Sequence, residues 1–202
     1  MHQPEEGSIK FNCQIIEETI EISSELFVPL NNWRNILWQK GLIGSYPDGI
    51  GYGNISVRLP GSDQFYISGT STGGISNLEQ GHYALVEGCV PEHNYIRCRG
   101  LIRASAESMS HSAIYLANPG VGAVVHIHNR YLWEKYLDLL PTTGRDVEYG
   151  TPAMAMEIGR IMLLPETLKK RVFVMGGHEE GLVSFGKTVE EAAQTILALD
   201  RI

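Results

Sequence analysis

Apolar positions recur along this chain in two rhythms. Between residues 14 and 41, Ile20, Leu26, Leu30, Trp33, Ile36 and Leu37 fall at helical spacings. That spacing predicts a helix, which Gly41 and Gly44 end. The stretch GSYPDGIGYG (44–53) then reads as a glycine-dense loop. Alternating or short apolar runs follow at 54–59, 64–68, 82–88 and 95–99 and predict strands, the first two joined by a Pro-Gly turn. Helical spacing returns at 105–117, 129–137, 154–162 and 188–200, and strands are predicted at 121–128, 171–175 and 181–185. Strands interrupted by helices in this order predict an α/β fold, a central sheet covered by helices. The mixture of short hairpins and longer crossovers predicts a mixed, mostly antiparallel sheet.

Composition adjusts this picture only slightly. The 202 residues are enough for one well-buried core and short for two, and no repeat or low-complexity linker divides them. A single domain over 1–202 is therefore expected. The first 13 residues, acidic and polar at their start, are expected to be partly disordered or to serve as an arm in subunit contacts. The start lacks the basic and apolar regions of a secretory signal, and no apolar run approaches membrane-span length. The formal charge of −7 argues against nucleic acid as a partner. Cys13, Cys89 and Cys98 follow no CxxC spacing and read as free thiols of a reducing cytoplasm.

Seven histidines occur, and three stand out. His126 and His128 are two apart in a predicted strand, so both rings face one way. Two imidazoles about 6–7 Å apart along a strand can converge on one ion. An HxH pair alone is weak, but AVVHIH ends an apolar run, and strand ends are where sites form. His178, in MGGHEEG, also follows an apolar strand and supplies a third ligand. Three neutral imidazoles leave a coordination position open, the arrangement of a catalytic zinc. Glu107, near a helix start, is the next candidate; a solvated residue favoured by the helix dipole is its alternative. His111 could be a ligand but reads more simply as a hydrogen-bonded structural histidine, while His2, His82 and His93 read as exposed. Glu179 and Glu180 flank His178; a carboxylate there could partner a metal-binding ring or bind the metal itself, and solvated acids are the simpler reading of both.

Two glycine-rich loops, GYGNIS (51–56) and SGTSTGG (68–74), offer free N–H groups and hydroxyls to phosphate or carboxylate oxygens, or are plain turns. Ser105 at a helix start offers the same. Arg58, Arg99 and Arg103 are candidate positive charges.

In order along the chain stand GNIS (53–56), the ISGTSTGG loop, SAESMSHSAIY (105–115), NPGVGAVVHIH (118–128), GTPAMAMEI (150–158) and GGHEEGLVSFGKTVEEA (176–192). This ordered set resembles the class II aldolase/adducin family, from about residue 25 to the C-terminus. The resemblance implies a three-layer class II aldolase-like fold. It also implies that His126, His128 and His178 hold Zn2+ or a similar divalent ion, with Glu107 as the acid/base residue beside it. Gly53, Asn54, Thr72, Gly73 and Ser105 match the family's phosphate-binding positions. Family members are commonly cytoplasmic homotetramers with active sites between subunits.

The function so implied is a metal-dependent, aldolase-type lyase. It would act on a sugar-like ketose or ketose phosphate through a metal-stabilised enediolate. An epimerase, dehydratase or decarboxylase of the same fold is one alternative; a non-catalytic adducin-like binding protein is the other. Three departures leave the substrate open. Ser105 is followed by Ala106 where the family has two adjacent hydroxyl residues. Asp146 falls where a proton-donating tyrosine is expected, with Arg145, Glu148 and Tyr149 as potential substitutes. HEEG replaces the commoner HHG or HG.

Overall fold

The computed structural model describes residues 8–199. The expectation for His2 therefore lies outside the described residues, as does most of the expected arm. The strands are β1 (Asn12–Ile16), β2 (Gly44–Ser45), β3 (Gly51–Tyr52), β4 (Asn54–Arg58), β5 (Phe65–Ser68), β6 (Tyr83–Val90), β7 (Tyr95–Arg99), β8 (Ala123–His128), β9 (Val172–Val174) and β10 (Gly181–Gly186). The helices are α1 (Ser24–Gln39), α2 (Ser108–Ala117), α3 (Arg130–Tyr136), α4 (Pro152–Met162), α5 (Pro165–Lys170) and α6 (Val189–Leu199).

Eight strands form one sheet in the order β1-β7-β6-β5-β4-β8-β10-β9. Only β1 and β7 pair in parallel; every other pairing in this sheet is antiparallel. Two apolar cores lie on its two faces. One gathers Met109, Ile114 and Tyr115 of α2 with Met154, Ile158 and Ile161 of α4. The other gathers Leu30 and Leu37 of α1 with Ala192, Ala193 and Ile196 of α6. Along β8 the alternation is visible directly, with Val124 in the first core and Ala123, Val125 and Ile127 in the second. This is the three-layer, mostly antiparallel α/β arrangement expected from the sequence.

Several expectations need correction. The helix predicted over 14–41 begins only at Ser24. Ahead of it, Ile15, Ile16, Thr19, Ile20 and Ile22 are β-branched and favour extended backbone. Residues 8–13, expected within the loose arm, lie against the sheet: Phe11 is buried in the first core and Asn12 opens β1. A further helix, α5, has no counterpart among the predicted elements, being six residues long and led by Pro165. The 44–53 loop is in fact a small hairpin, β2–β3. Cys13, Cys89 and Cys98 are free thiols, the first and last with sulfurs 3.5 Å apart. Among the described residues no helix is long and apolar enough to cross a membrane.

Candidate metal centre and anion pocket

β8 pairs on both sides, with β4 and with β10, so its C-terminal end is fixed in the middle of the sheet. The period-2 alternation of a strand then presents His126 and His128 together. His178 arrives on the turn between β9 and β10, closed by His178 N–H donating to Met175 O at 3.2 Å and Gly181 N–H donating to His178 O at 2.9 Å. One ring nitrogen from each of the three lies within 4.8 Å of the others, and all three side chains are buried. The rings pack face and edge against one another at centroid distances of 4.9, 5.1 and 4.7 Å.

Burial holds the His126 and His128 rings neutral, with titration far below the ordinary histidine range. The neighbouring imidazoles add to this effect, His128, His178 and His111 on His126, and His178 on His128. A neutral imidazole is the form that binds a metal. Its neighbours also select the tautomer. The Tyr46 hydroxyl donates to Glu180 Oε2 at 2.7 Å and lies 2.8 Å from His128 Nδ1. With its proton committed to Glu180, Tyr46 accepts from His128 Nδ1–H, which leaves the Nε2 lone pair available. The Asn54 amide lies 3.3 Å from His126 Nδ1, and Asn54 Oδ1 is otherwise without a hydrogen-bond partner. Turning that amide end for end lets Oδ1 accept from Nδ1–H. His126 Nε2 is then a buried lone pair that meets no protein donor. A divalent cation satisfies such a group, and the donor set suits one.

Glu107 is 3% exposed, and its Oε1 lies 3.5 Å from His178 Nδ1. It immediately precedes α2 and faces the three rings rather than solvent, so the solvated alternative does not describe it. Tyr149 stacks on His178 with ring centroids 4.2 Å apart. On Tyr149 in turn rests Lys10, whose Nζ is 3.3 Å from the ring centroid and 2.9 Å from Glu148 Oε1. Of the four residues considered for the family tyrosine's place, Tyr149 is the one that lines the cavity; Asp146 is exposed.

One cavity of about 280 Å3 joins these parts. Gly53, Asn54, Thr72, Gly73, Ser105, Glu107, His126, His128 and His178 all line it. Two glycines are required by the approach of the loops. Gly53 has φ +69, and a Cβ there would meet Leu42 O at 3.0 Å and His126 O at 3.1 Å. At Gly73 a Cβ would fall 1.9 Å from Gly44 O. Thr72 Oγ1 donates to Gly69 O at 2.8 Å, which holds the second loop in shape.

Outside the cavity the remaining histidines behave differently. His111 accepts or donates one hydrogen bond at 2.7 Å with Ser56 Oγ, within a buried Ser56–Tyr115 network, and burial pulls its pKa down to about 3. His93 is exposed, while His82 is half-buried with Nδ1 accepting from Glu79 N–H. Arg58, Arg99 and Arg103 do not line the cavity. The sequence gives no sign of Tyr46, and of the two readings of Glu180 the contact with Tyr46 supports the one beside the metal site. Glu179 does fit that description, paired with Arg130 at the surface.

The buried neutral histidines predict an acid-labile fold. An unfolded histidine titrates near about 6.5, so below that pH the unfolded chain binds protons that folded His111, His126 and His128 refuse. Stability of the metal-free protein, fully present above about pH 6.5, should fall as pH drops, by up to about 1.4 kcal/mol per pH unit per histidine. Urea unfolding between pH 7.5 and 5 measures this. A stability that stays flat below pH 6.5 would contradict the buried neutral assignment.

Comparison with known proteins agrees with the geometry. The profile of the Class II Aldolase and Adducin N-terminal domain matches residues 45–202. The 3-oxo-tetronate 4-phosphate decarboxylase of Haemophilus influenzae is 26% identical over 166 residues, 74% of either chain. Among solved structures, YgbL of Klebsiella pneumoniae superposes with a TM-score of 0.65 at 20% identity, covering 88% of this chain and 86% of the other. L-fuculose-1-phosphate aldolase of Thermus thermophilus superposes with a TM-score of 0.64 at 22% identity, covering 89% and 91%. With the profile spanning most of its length, the chain belongs to the class II aldolase and adducin family.

Proposed function

We propose that this protein is a metal-dependent carbon–carbon lyase acting beside a carbonyl group of a small, sugar-derived anion. The observation that carries this is the placement of Glu107, buried 3.5 Å from His178, where three buried imidazoles converge. His126, His128 and His178 would hold the divalent ion, zinc being favoured by three imidazoles. When bound, such an ion supplies Lewis-acid polarisation of a carbonyl and offsets negative charge developing on its oxygen.

The remaining work falls to the chain's own groups. Glu107 takes or returns the proton at the reacting carbon, from a position that excludes bulk water. Thr72, Gly73, Gly53, Asn54 and Ser105 hold the anionic tail at the other side of the cavity and so fix which carbon faces Glu107. The Tyr149 ring, clamped between Lys10 and His178, forms the wall beside the ligands. Ala106 removes one hydroxyl from the tail site, and Asp146 stands outside the cavity, so the substrate differs in detail from a fuculose phosphate. A purely adducin-like binding role has no use for three buried imidazoles and an adjacent carboxylate.

Aldol cleavage and decarboxylation both break a carbon–carbon bond beside a carbonyl. The similarity to the Haemophilus decarboxylase favours the second as an alternative to the first. The deciding experiment is product analysis on a panel of ketose phosphates, free hydroxy-ketones and 3-oxo-tetronate 4-phosphate. Aldehyde release identifies an aldolase and carbon dioxide a decarboxylase. An isomer of unchanged mass, or no turnover of any member by metal-loaded protein, would refute the lyase reading.

A further inference from the structure

Arg34, in the middle of α1, is 1% exposed, yet no ion pair among the described residues includes it. Backbone carbonyls hold it instead. Its Nη2 donates to Thr72 O at 2.9 Å and Gly73 O at 3.2 Å, and its Nη1 donates to Ser76 O at 3.3 Å. Burial lowers its pKa from the ordinary value, but a guanidinium remains protonated at neutral pH. A buried charge without a counter-ion is costly. Tying three carbonyls together requires donors, not a charge, so the charge asks for a separate explanation.

The loop geometry supplies one. In a trans peptide the carbonyl and the next N–H point in opposite directions, and none of the described peptides is cis. Because Thr72 C=O is turned to Arg34, Gly73 N–H is turned away from it. Thr72 and Gly73 line the cavity there. The N–H groups of Ser71 and Gly73 donate to no protein acceptor among the described residues. The cavity itself has no lysine or arginine in its lining, although Asp48 and Glu107 contribute acids. An anionic tail at the loop end of the cavity, away from the three imidazoles, therefore meets amides but no cationic side chain, unless charge is supplied from behind the loop. Arg34 is placed to supply it, and its pull on two carbonyls polarises the amides that continue from them.

We propose that Arg34 is a positioning residue for the anionic tail of the substrate: its buried guanidinium is the counter-charge through which the Thr72–Gly73 loop binds a phosphate-type oxyanion. This assignment rests on the cavity being the substrate site, but not on the metal. Inorganic phosphate is the probe, titrated into metal-loaded and chelator-treated protein and followed by calorimetry and NMR, with acetate as the singly charged comparison. In wild-type protein, phosphate should bind under both conditions and more tightly than acetate. It should move the backbone amide signals of Thr72 and Gly73. It should also move the Arg34 Nη signals, which are assigned through their proximity to Thr72 and Gly73. Arg34→Gln, which keeps donors but loses the charge, should weaken phosphate binding about tenfold or more, while Arg34→Lys should stay within about threefold. Metal content should be unchanged in both variants.

No phosphate binding by the wild type, acetate bound as tightly, or unmoved Thr72 and Gly73 amides would overturn the assignment. So would unmoved Arg34 Nη signals, whether or not Arg34→Gln folds. Equal losses in Arg34→Gln and Arg34→Lys would make the side chain a mechanical tether only, and wild-type binding by Arg34→Gln would remove it from the site. Loss of metal from His126→Ala bears on the lyase reading and leaves these phosphate results untouched.

Discussion

Purified His126→Ala and His128→Ala proteins are expected to carry essentially no divalent metal and to turn over no substrate. Both rings project from β8, which is hydrogen-bonded on both edges, so the backbone cannot move another donor into the gap. The acid beside His178, Glu107, immediately precedes α2 on its own element and does not occupy the position of either β8 ring. Loss of an outer-shell partner typically lowers metal affinity about 10- to 100-fold, and loss of one of three direct ligands should exceed that range. The rings are neutral and buried, so alanine removes no paired charge, and the metal-free variants should melt within a few degrees of metal-free wild type. Elemental analysis and thermal melts together check the result. Full metal content in both variants would dissolve the proposed centre; unfolding of both would leave His178→Ala as the third arm of the same test.

Glu107→Gln is expected to do the opposite: keep the metal and lose turnover, by about 100- to 10,000-fold. Glutamine has the shape of glutamate and preserves the packing of a 3%-exposed side chain, but it cannot accept the substrate's proton. The loss should fall on kcat, because in the proposed site the tail of the substrate would be held elsewhere in the cavity, at Thr72, Gly73 and Ser105. Substrate KM should change by no more than a fewfold. Wild-type kcat in this variant would remove Glu107 from the chemistry. A large rise in KM with kcat unchanged would recast it as a binding group.

Why were some of these parts readable in the sequence and others not? AVVHIH announced itself because a strand's period places alternate side chains together and the apolar run before the pair implied burial. The glycine loops were readable because their proposed role is a backbone one, and only a few residue types permit the close approach it needs; a Cβ at Gly73 would lie 1.9 Å from Gly44 O. Glu107 was half-readable: its position before a helix was evident, but solvent exposure depends on what the sheet and the 149–150 turn place over it. Between the two readings open for Glu180, the solvated one was the simpler for a similar reason. Its partner Tyr46 lies 134 residues away, and nothing local says that a hairpin at 44–52 will bring that hydroxyl to His128. Tyr149 could be named only as one of three potential substitutes until the stack on His178 singled it out.

The fold shows the same division. The order of helices and strands was legible because periodicity reports burial, and a central sheet covered by helices followed from it; the three-layer form came from the family resemblance. The stretch before Ser24 was not. There the apolar spacing of a helix and the β-branched preference for extended backbone conflicted, and pairing of β1 with β7 decided between them. Such pairing joins residues more than 80 positions apart and leaves no local trace. Arg34 is a comparable case: in sequence it is one polar residue on an amphipathic helix, and only the three carbonyls of a distant loop reveal that it points inward.

The proposed chemistry depends throughout on an ion held by three imidazoles. The most direct test is the metal stoichiometry and X-ray absorption spectrum of wild-type protein, loaded with zinc and freed of excess by gel filtration. The expected result is one ion per chain, with nitrogen scatterers at about 2.0–2.1 Å and the multiple-scattering pattern of imidazole. Protein that is fully folded yet retains less than about a tenth of an equivalent, or holds its ion through sulfur at about 2.3 Å, would contradict it.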